Sequence, residues 1–525
     1  MITARTRYDQ LSTNRSQFLD TAVDCSELTL PYLITDDLYK RPVKKSLLTP
    51  WQSVGAKAVV NLAAKLTLAL VPPQTSFFKL QIRDDKLGEE FPKEVRSEID
   101  LSLSKMERMV MDYINASNDR VIIHQAIKHL IVGGNALIFM GKNGLKNYPL
   151  NRFVVNRDGN GNVLEIVTKE LISRKVLGLD LLKPKEVNSV VSTAAGSGGV
   201  DDDVEVYTYV KLDEASGRWT WHQEVDDKII PGTRSTAPKN ANPWLTLRFN
   251  VVDGEDYGRG RVEEFLGDLR ALEGLSKALV EGSAVAAKVI FLVSPSATTK
   301  PSTLAQAGNG AIIQGRPEDV GVVSTAGKNA DFATAANMAQ QLEQRINDAF
   351  LVLQIRQSER TTAQEVRMTQ MELEQQLGGL FSLLTVEFLI PYLDRTLHML
   401  KRTNQLPKYP KDLVRPQVVA GINALGRGQD QQSLTMFIQT IAQTLGPEAL
   451  LKFINASEAI KRLAAAQGIE VLNLVKSEEE MAQEMQQQQA AATAQSMADQ
   501  MGQLASAPLM DPSKNPQIIP PPEDG

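Results

Sequence analysis

DYGRGRVEEFLGDLRALEGLSKALVEG, residues 256–282, decides the architecture of this chain. Val262, Phe265, Leu266, Leu269, Leu272, Leu275 and Leu279 recur at helical spacing and make one apolar stripe. Glu263, Glu264, Asp268, Arg270, Glu273 and Lys277 occupy the other faces. The pattern predicts an amphipathic helix from about Arg259 to Gly282. A strand-like, Gly-punctuated stretch follows, with Val289–Val293 and then AGNGAIIQGRPEDVGVV (307–323). A second helix is expected over 332–353, with Phe332, Ala335, Ala339, Leu342, Ile346, Ala349, Phe350 and Leu353 in register. Each helix is about 33–36 Å long at the α-helical rise. Two matched helices joined by a small α/β insert make a stalk with a tip.

On the C-terminal side, ERTTAQEVR (359–367) is polar and precedes a long helix. Thr361 or Thr362 can cap it, with Glu365 completing a capping box, and it runs to about Arg402 with a kink expected at Pro391. Residues 413–475 read as shorter helices separated by Gly426, Gly428 and Gly446-Pro447. From Ser477 the chain is rich in Gln, Met, Ala and Glu, which reads as a long exposed helix. From Ala507 it is Pro-rich and expected to be disordered.

On the N-terminal side, Thr49 and Pro50 read as the start of a helix. Val54, Ala58, Leu62, Leu66 and Leu70 form its stripe, and Pro72-Pro73 ends it. A second helix is expected over Lys93–Asn115, on Val95, Ile99, Leu103, Met106 and Val110, and a third from about Arg120 to Gly133-Gly134. Between Asn151 and Val252 the period becomes two. Hairpins are expected across Asp158-Gly159-Asn160-Gly161 and across Ser216-Gly217, with a mobile Gly/Ser/Asp-rich loop over 193–203. The fold class is therefore mainly α with a β-rich insert (α+β).

Composition removes several function classes. The 57 Lys+Arg against 62 Asp+Glu give a net charge of −5, which argues against a broad basic surface gripping nucleic acid. Cys25 is the one cysteine, so no internal disulfide forms, and a reducing compartment is expected. The four histidines have no ligand spacing and there is no C-x-x-C, so a zinc site is not expected. The polar N-terminal stretch is not a signal peptide, and the apolar run 59–71 is too short to cross a bilayer. No cofactor and no membrane contact are expected.

Individual motifs mostly yield to plain structural readings. Asp158-Gly159-Asn160-Gly161-Asn162 opens like a Ca²⁺ loop, but Val163 stands where Gly is required and Lys169 where Glu is required. Gly141-Lys142 and Gly327-Lys328 lack the remainder of a phosphate loop. Asp201-Asp202-Asp203 reads as a solvated turn. Glu264 and Asp268 share a helix face without marking an acid/base pair, and His124 and His129 read as structural. Without clustered metal-spaced carboxylates, a nuclease is not expected. Arg356, Arg360 and Arg367 flank the polar segment after the stalk. Spacing alone leaves two readings open for them, a solvated basic turn or a cluster aimed at a polyanion.

Five blocks, taken together, resemble a known family. They are TPWQSVGAKAVVNLAAKLTLALVPPQTSFFKL (49–80), DYGRGRVEEFLGDLRALEGL (256–275), GRPEDVGVV (315–323), RQSERTTAQEVR (356–367) and GINALGRGQD (421–430). In this order they are similar to the portal, or head–tail connector, proteins of short-tailed bacteriophages. The resemblance covers nearly the whole chain up to the Gln-rich tail, and excludes the loop at 183–203. It implies a dodecameric ring at one capsid vertex, with double-stranded DNA passing along its axis. It implies an N-terminal wing (1–255, hairpins about 151–252), stem helices (256–282 and 332–353) and a clip (283–331). A tunnel loop (354–365), a wing or tunnel helix (366–424), a crown (425–476) and a C-terminal helical barrel or tail (477–525) complete the arrangement. Arg356, Arg360 and Arg367 would then face the DNA, and Arg316, Glu318 and Asp319 would contact partners at the clip. The implied partners are the terminase large subunit, a tail adaptor or tail-tube protein, and the major capsid and scaffolding proteins. The implied location is the virion, after assembly in the host bacterial cytoplasm. A scaffolding or internal virion protein without a channel is the rival expectation.

Overall fold

A computed structural model describes residues 2–35, 48–72, 77–82, 93–142, 144–173, 177, 203–286, 290–296, 300–308, 312–314, 316–323, 329–352, 378–403, 414–417, 426–445 and 497. The chain is mixed helix and sheet and divides into two compact units, Met1–Ala424 and Leu425–Gly525. In the second unit, one helix spans Gly426–Leu445. Gly426 and Gly428, expected as breaks, lie in its first turn. The residues after them, 429–445, contain neither Gly nor Pro to stop it.

The first unit opens with α1 (Ala4–Glu27), capped by Thr3, whose side chain accepts from the Thr6 N–H. Stripe reading starts its first helix only near Pro50, because Arg15 interrupts the series Tyr8, Leu11, Ala22 and Cys25. Arg15 is nevertheless buried. Its Nη1 donates to the Tyr8 hydroxyl (2.8 Å) and lies within 3.1–3.3 Å of the carbonyls of Leu150, Asn151 and Phe153. A satisfied cation can be interior. Burial, with Glu263 and Asp24 nearby, pushes the Cys25 thiol up to about 12, so it remains protonated and unreactive.

Helix α2 (Val54–Leu70) begins four residues later than expected. Thr49 and Pro50 lie outside it because the Trp51 and Gln52 N–H groups donate to the Glu273 carboxylate, and the Gln52 side chain accepts from the Gly55 N–H (2.8 Å). Strand β1 (Lys79–Ile82) pairs with 414–417. Helices α3 (Lys93–Ala116) and α4 (Asp119–Gly133) match expectation, and α4 ends on Gly134 in the left-handed conformation (φ 71°).

Strands β2 (Asn135–Gly141) and β3 (Gly144–Tyr148) follow. Next come β4 (Phe153–Arg157), β5 (Val163–Ser173), β6 (Asp203–Asp213) and β7 (Arg218–Val225), then β8 (Lys228–Ile229), β9 (Ser235–Pro238) and β10 (Trp244–Arg248). They form two sheets. One has order β10-β2-β3, and the other has order β4-β5-β6-β7-β8 with β9 also on β7. Both expected hairpins form. In the first turn, Asp158 accepts from the N–H groups of Asn160 and Asn162, and the Asn162 bonds hold its carboxyl below the usual range. Asp203 begins β6 and does not sit in a turn. Helix α1 lies on the larger sheet, where Tyr8 and Leu11 pack with Val154, Val167 and Tyr207.

The central core joins α2, α4, the three-stranded sheet and the helix Ile390–Arg402, through residues such as Leu62, Leu66, Ile127, Leu130, Ile138, Phe388 and Leu393. Tyr392 donates to the Asp119 carboxylate (2.6 Å) inside it. His129 is 3% exposed, and burial holds it neutral, down to about 4. Between pH 6.5 and 4 the unfolded chain takes up this proton and the folded chain does not. Stability is therefore full above about pH 6.5 and falls toward pH 4, by roughly 3 kcal/mol. His129→Leu is expected to flatten this part of the pH dependence of the thermal midpoint, and an unchanged slope would refute the assignment. No helix of the described residues is long and apolar enough to cross a membrane.

Candidate functional site

The candidate site is the helical hairpin, its tip and the junction that holds its base. The first helix is shorter at its start than expected. Arg259 and Asn250 exchange backbone hydrogen bonds (2.9 and 3.1 Å), which keeps Arg259 extended. Helix begins at Arg261, makes a short α5 (Arg261–Glu264), turns at Phe265 and continues as α6 (Leu266–Ala286). The second long helix, which is α8 once the tip is counted, spans Asn329–Ala349. Phe265 and Phe350 meet edge to face near the base (5.7 Å), Arg345 reaches Asp268 (3.1 Å), and Gly282 faces Phe332 at the far end. A Cβ on Gly282 would fall 2.5 Å from the Phe332 ring, so glycine permits this close approach. Leu269, Leu272, Ile346 and Phe350 are buried at the base, whereas Val280, Val285 and Met338 are 52–57% exposed.

The tip pairs β11 (Ile290–Val293) with β12 (Val320–Val323), with α7 (Pro301–Gln306) between them in sequence. Arg316, Glu318 and Asp319 come together where the 3₁₀ turn Pro317–Asp319 enters β12. The Ser294 N–H donates to the Asp319 carbonyl (3.0 Å) and closes that end. Arg316 and Glu318 are exposed, and Leu292 and Ile312 add exposed apolar surface at the tip. The second sequence-derived set, Arg356, Arg360 and Arg367, lies outside the described residues, as do Thr361, Thr362 and Glu365.

Helix α8 ends in a Schellman motif. The Leu351 N–H bonds to the Asp348 carbonyl and the Val352 N–H to the Asn347 carbonyl, with Leu351 at φ 56° where glycine is usual. A non-glycine residue there costs about 1–2 kcal/mol. Two side chains of α2 secure the position, because Asn61 and Lys65 both donate to the Leu351 carbonyl. Burial lowers the Lys65 ammonium from its ordinary value. In the sequence both residues stand out only as polar interruptions of the apolar run 59–71.

The junction beneath the hairpin is built from ions and glycines. Arg248 donates to Glu387 through its backbone N–H (2.9 Å), Nε (2.9 Å) and Nη2 (2.6 Å), and Arg157 lies 3.9 Å from the same carboxylate. Arg157 also bonds Asp256, Gly161 and Thr246; burial and then Arg248 push its guanidinium down to about 10. Glu387 sits in a π-helical turn, Thr385–Leu389, immediately before the helix bearing Pro391. The expected proline kink is thus a widened turn, because Pro391 offers no N–H to the preceding turn. Across the junction, Asn135 accepts from the Gly258 N–H and donates to the carbonyls of Gly133 and Gly258. A signal for Glu387 existed in sequence, since it is the lone charge in FSLLTVEFLI (381–390).

These charges fix the frame. Glu264 bonds Asn250 and Arg261, and Asp268 bonds Arg345. Among the described residues no group of three His, Cys, Asp or Glu is placed to hold a metal.

Residues 2–472 match the family described as bacteriophage head to tail connecting protein. The portal protein of Enterobacteria phage T3 is 38% identical over 498 residues, 93% of this chain and 91% of that protein. The portal protein of Escherichia phage T7 is 36% identical over 514 residues, 95% of this chain and 94% of that one. Among solved structures, a chain from the neck of an empty GTA particle is matched over 79% of this chain and 90% of its own length. That match has 12% identity and a TM-score of 0.35.

Proposed function

The chain belongs to the bacteriophage head to tail connecting proteins, and on that footing we propose that it is the portal of a short-tailed phage, through which the genome enters and leaves the capsid. The observation that carries this reading is the near end-to-end match with portal proteins, at 38% identity for that of phage T3 and 36% for that of phage T7. The helical hairpin suits the role, since its base is buried in the core while the outward apolar residues of its far half await neighbouring copies in a ring.

In this reading the chain forms a dodecamer at the capsid vertex. The hairpin α6–α8 is the stem and the β11–β12 tip is the clip. Residues 1–255 and 366–424 form the wing, and 425–476 the crown. The terminase large subunit docks on the clip during packaging, with Arg316, Glu318 and Asp319 as contacts, and a tail adaptor takes that surface afterwards. Wing and crown meet the capsid and scaffolding proteins. Assembly takes place in the host cytoplasm. The work is mechanical and electrostatic, with no bond made or broken in the DNA.

Arg356, Arg360 and Arg367 are the proposed contacts to DNA. The net charge of −5 suits a wall along which a polyanion slides, because each cation held against phosphate would slow it. The double variant Arg356→Ala/Arg360→Ala is expected to assemble rings normally and to lower DNA packaging or retention, measured as DNA per purified head. Heads filled and stable as in the wild type would remove these arginines from the channel.

A further inference from the structure

Helix α2 is apolar on almost every side. Its inner face, including Ala58, Leu62 and Leu66, lies in the core. One flank meets α4, where Thr67 hydrogen-bonds His124 (3.0 Å), and the other flank holds the end of α8 through Asn61 and Lys65. Between the two flanks, at helical spacing, run Lys57, Val60, Ala64 and Leu68, all exposed. Val60 is 41% and Leu68 60% exposed, and Val121, one turn before His124 on α4, is 68% exposed. A helix that is apolar all round belongs in an interior, and apolar side chains grouped on one exposed face mark a contact surface.

We infer that this outer stripe of α2 is covered by a second copy of the chain, the next subunit of the ring. The inference rests on the portal reading. A second copy fits better than any other occupant for two reasons. First, the stripe contains no acid and a single cation, Lys57, so it offers apolar contact and little to attract DNA phosphates or a strongly charged partner. Second, α2 grips the end of α8, so the stripe flanks the base of the same hairpin whose far half carries the exposed Val280, Val285 and Met338 that are proposed to meet neighbours. In a closed ring of identical subunits the contacts are heterologous, and a face left open in one copy is covered in all of them.

The test measures ring assembly of the full chain by mass photometry, for the wild type, Leu68→Glu, Val60→Glu, and Glu214→Lys on the exposed β6–β7 turn as a control. The wild type and the control are expected to form rings. Each carboxylate variant is expected to lower the ring fraction at least about tenfold at equal concentration, with an unchanged circular dichroism spectrum. A second measurement uses Leu68→Cys and a maleimide, since Cys25 is fully buried and silent. Labelling should be fast in the monomer and at least about tenfold slower in the ring. Rings from both carboxylate variants, or equal labelling in the two states, would overturn the inference while leaving the portal reading intact. Variant rings that form but fail to enter heads would assign the stripe to a capsid protein and overturn it too. A wild type that never forms rings would remove the portal reading and this inference with it.

Discussion

Replacing Gly134 with valine is expected to leave no folded chain. Gly134 ends α4 at φ 71°, a conformation that a β-branched residue rarely adopts. A Cβ there would lie 2.4 Å from the Gly258 carbonyl oxygen and 2.6 Å from the Arg259 carbonyl carbon. Both are backbone atoms, so no side chain can swing aside. Arg259 is itself paired to Asn250, and the Asn135 side chain holds Gly258 from both its N–H and its carbonyl. The clash and the backbone strain together exceed about 4 kcal/mol, a large part of the roughly 5–15 kcal/mol that holds a domain folded. Soluble expression and circular dichroism are the readout. A soluble Gly134→Val chain with the wild-type thermal midpoint would show that the junction yields, contrary to this account.

Glu387→Ala is expected to destabilise the first unit by about 3–5 kcal/mol, because it leaves buried charge without its partner. The side chains of Arg157 and Arg248 are 5% and 8% exposed, and both face the Glu387 carboxylate. Removing it places two guanidiniums side by side in a poorly solvated space. Glu387→Gln keeps the shape and part of the hydrogen bonding and should cost less than alanine. The denaturation midpoint of each variant measures this order. Equal stability of wild type and Glu387→Ala would mean that the network contributes nothing to the junction.

The parts of the fold that were legible from sequence were those that local chemistry decides alone. The Asp158–Asn162 turn encodes its own hydrogen bonds, Gly134 encodes the end of α4, and the stripe from Val262 to Leu279 encodes a helix facing a core. The hairpin was legible for that reason, whereas Arg316, Glu318 and Asp319 were singled out only by the family resemblance. Positions decided by distant partners were not. The break before Arg261 depends on a bridge to Asn250, and the late start of α2 depends on the Glu273 carboxylate. Helix α1 hid behind Arg15, whose carbonyl acceptors lie more than a hundred residues away. Pro391 signals the π-helical turn and Glu387 stands out as a lone charge, but its partner Arg248 lies 139 residues away and could not be read. Lys65 and Asn61 looked like blemishes on α2 because their acceptor, the Leu351 carbonyl, is visible only in the fold.

The central claim is that many copies of this chain close into a ring around a channel. One averaged electron-microscopy view of the purified protein, taken down the assembly axis, tests it most directly. The account predicts closed rings of identical subunits with an open central hole. A protein that stays monomeric or grows only filaments at every concentration tried would contradict it.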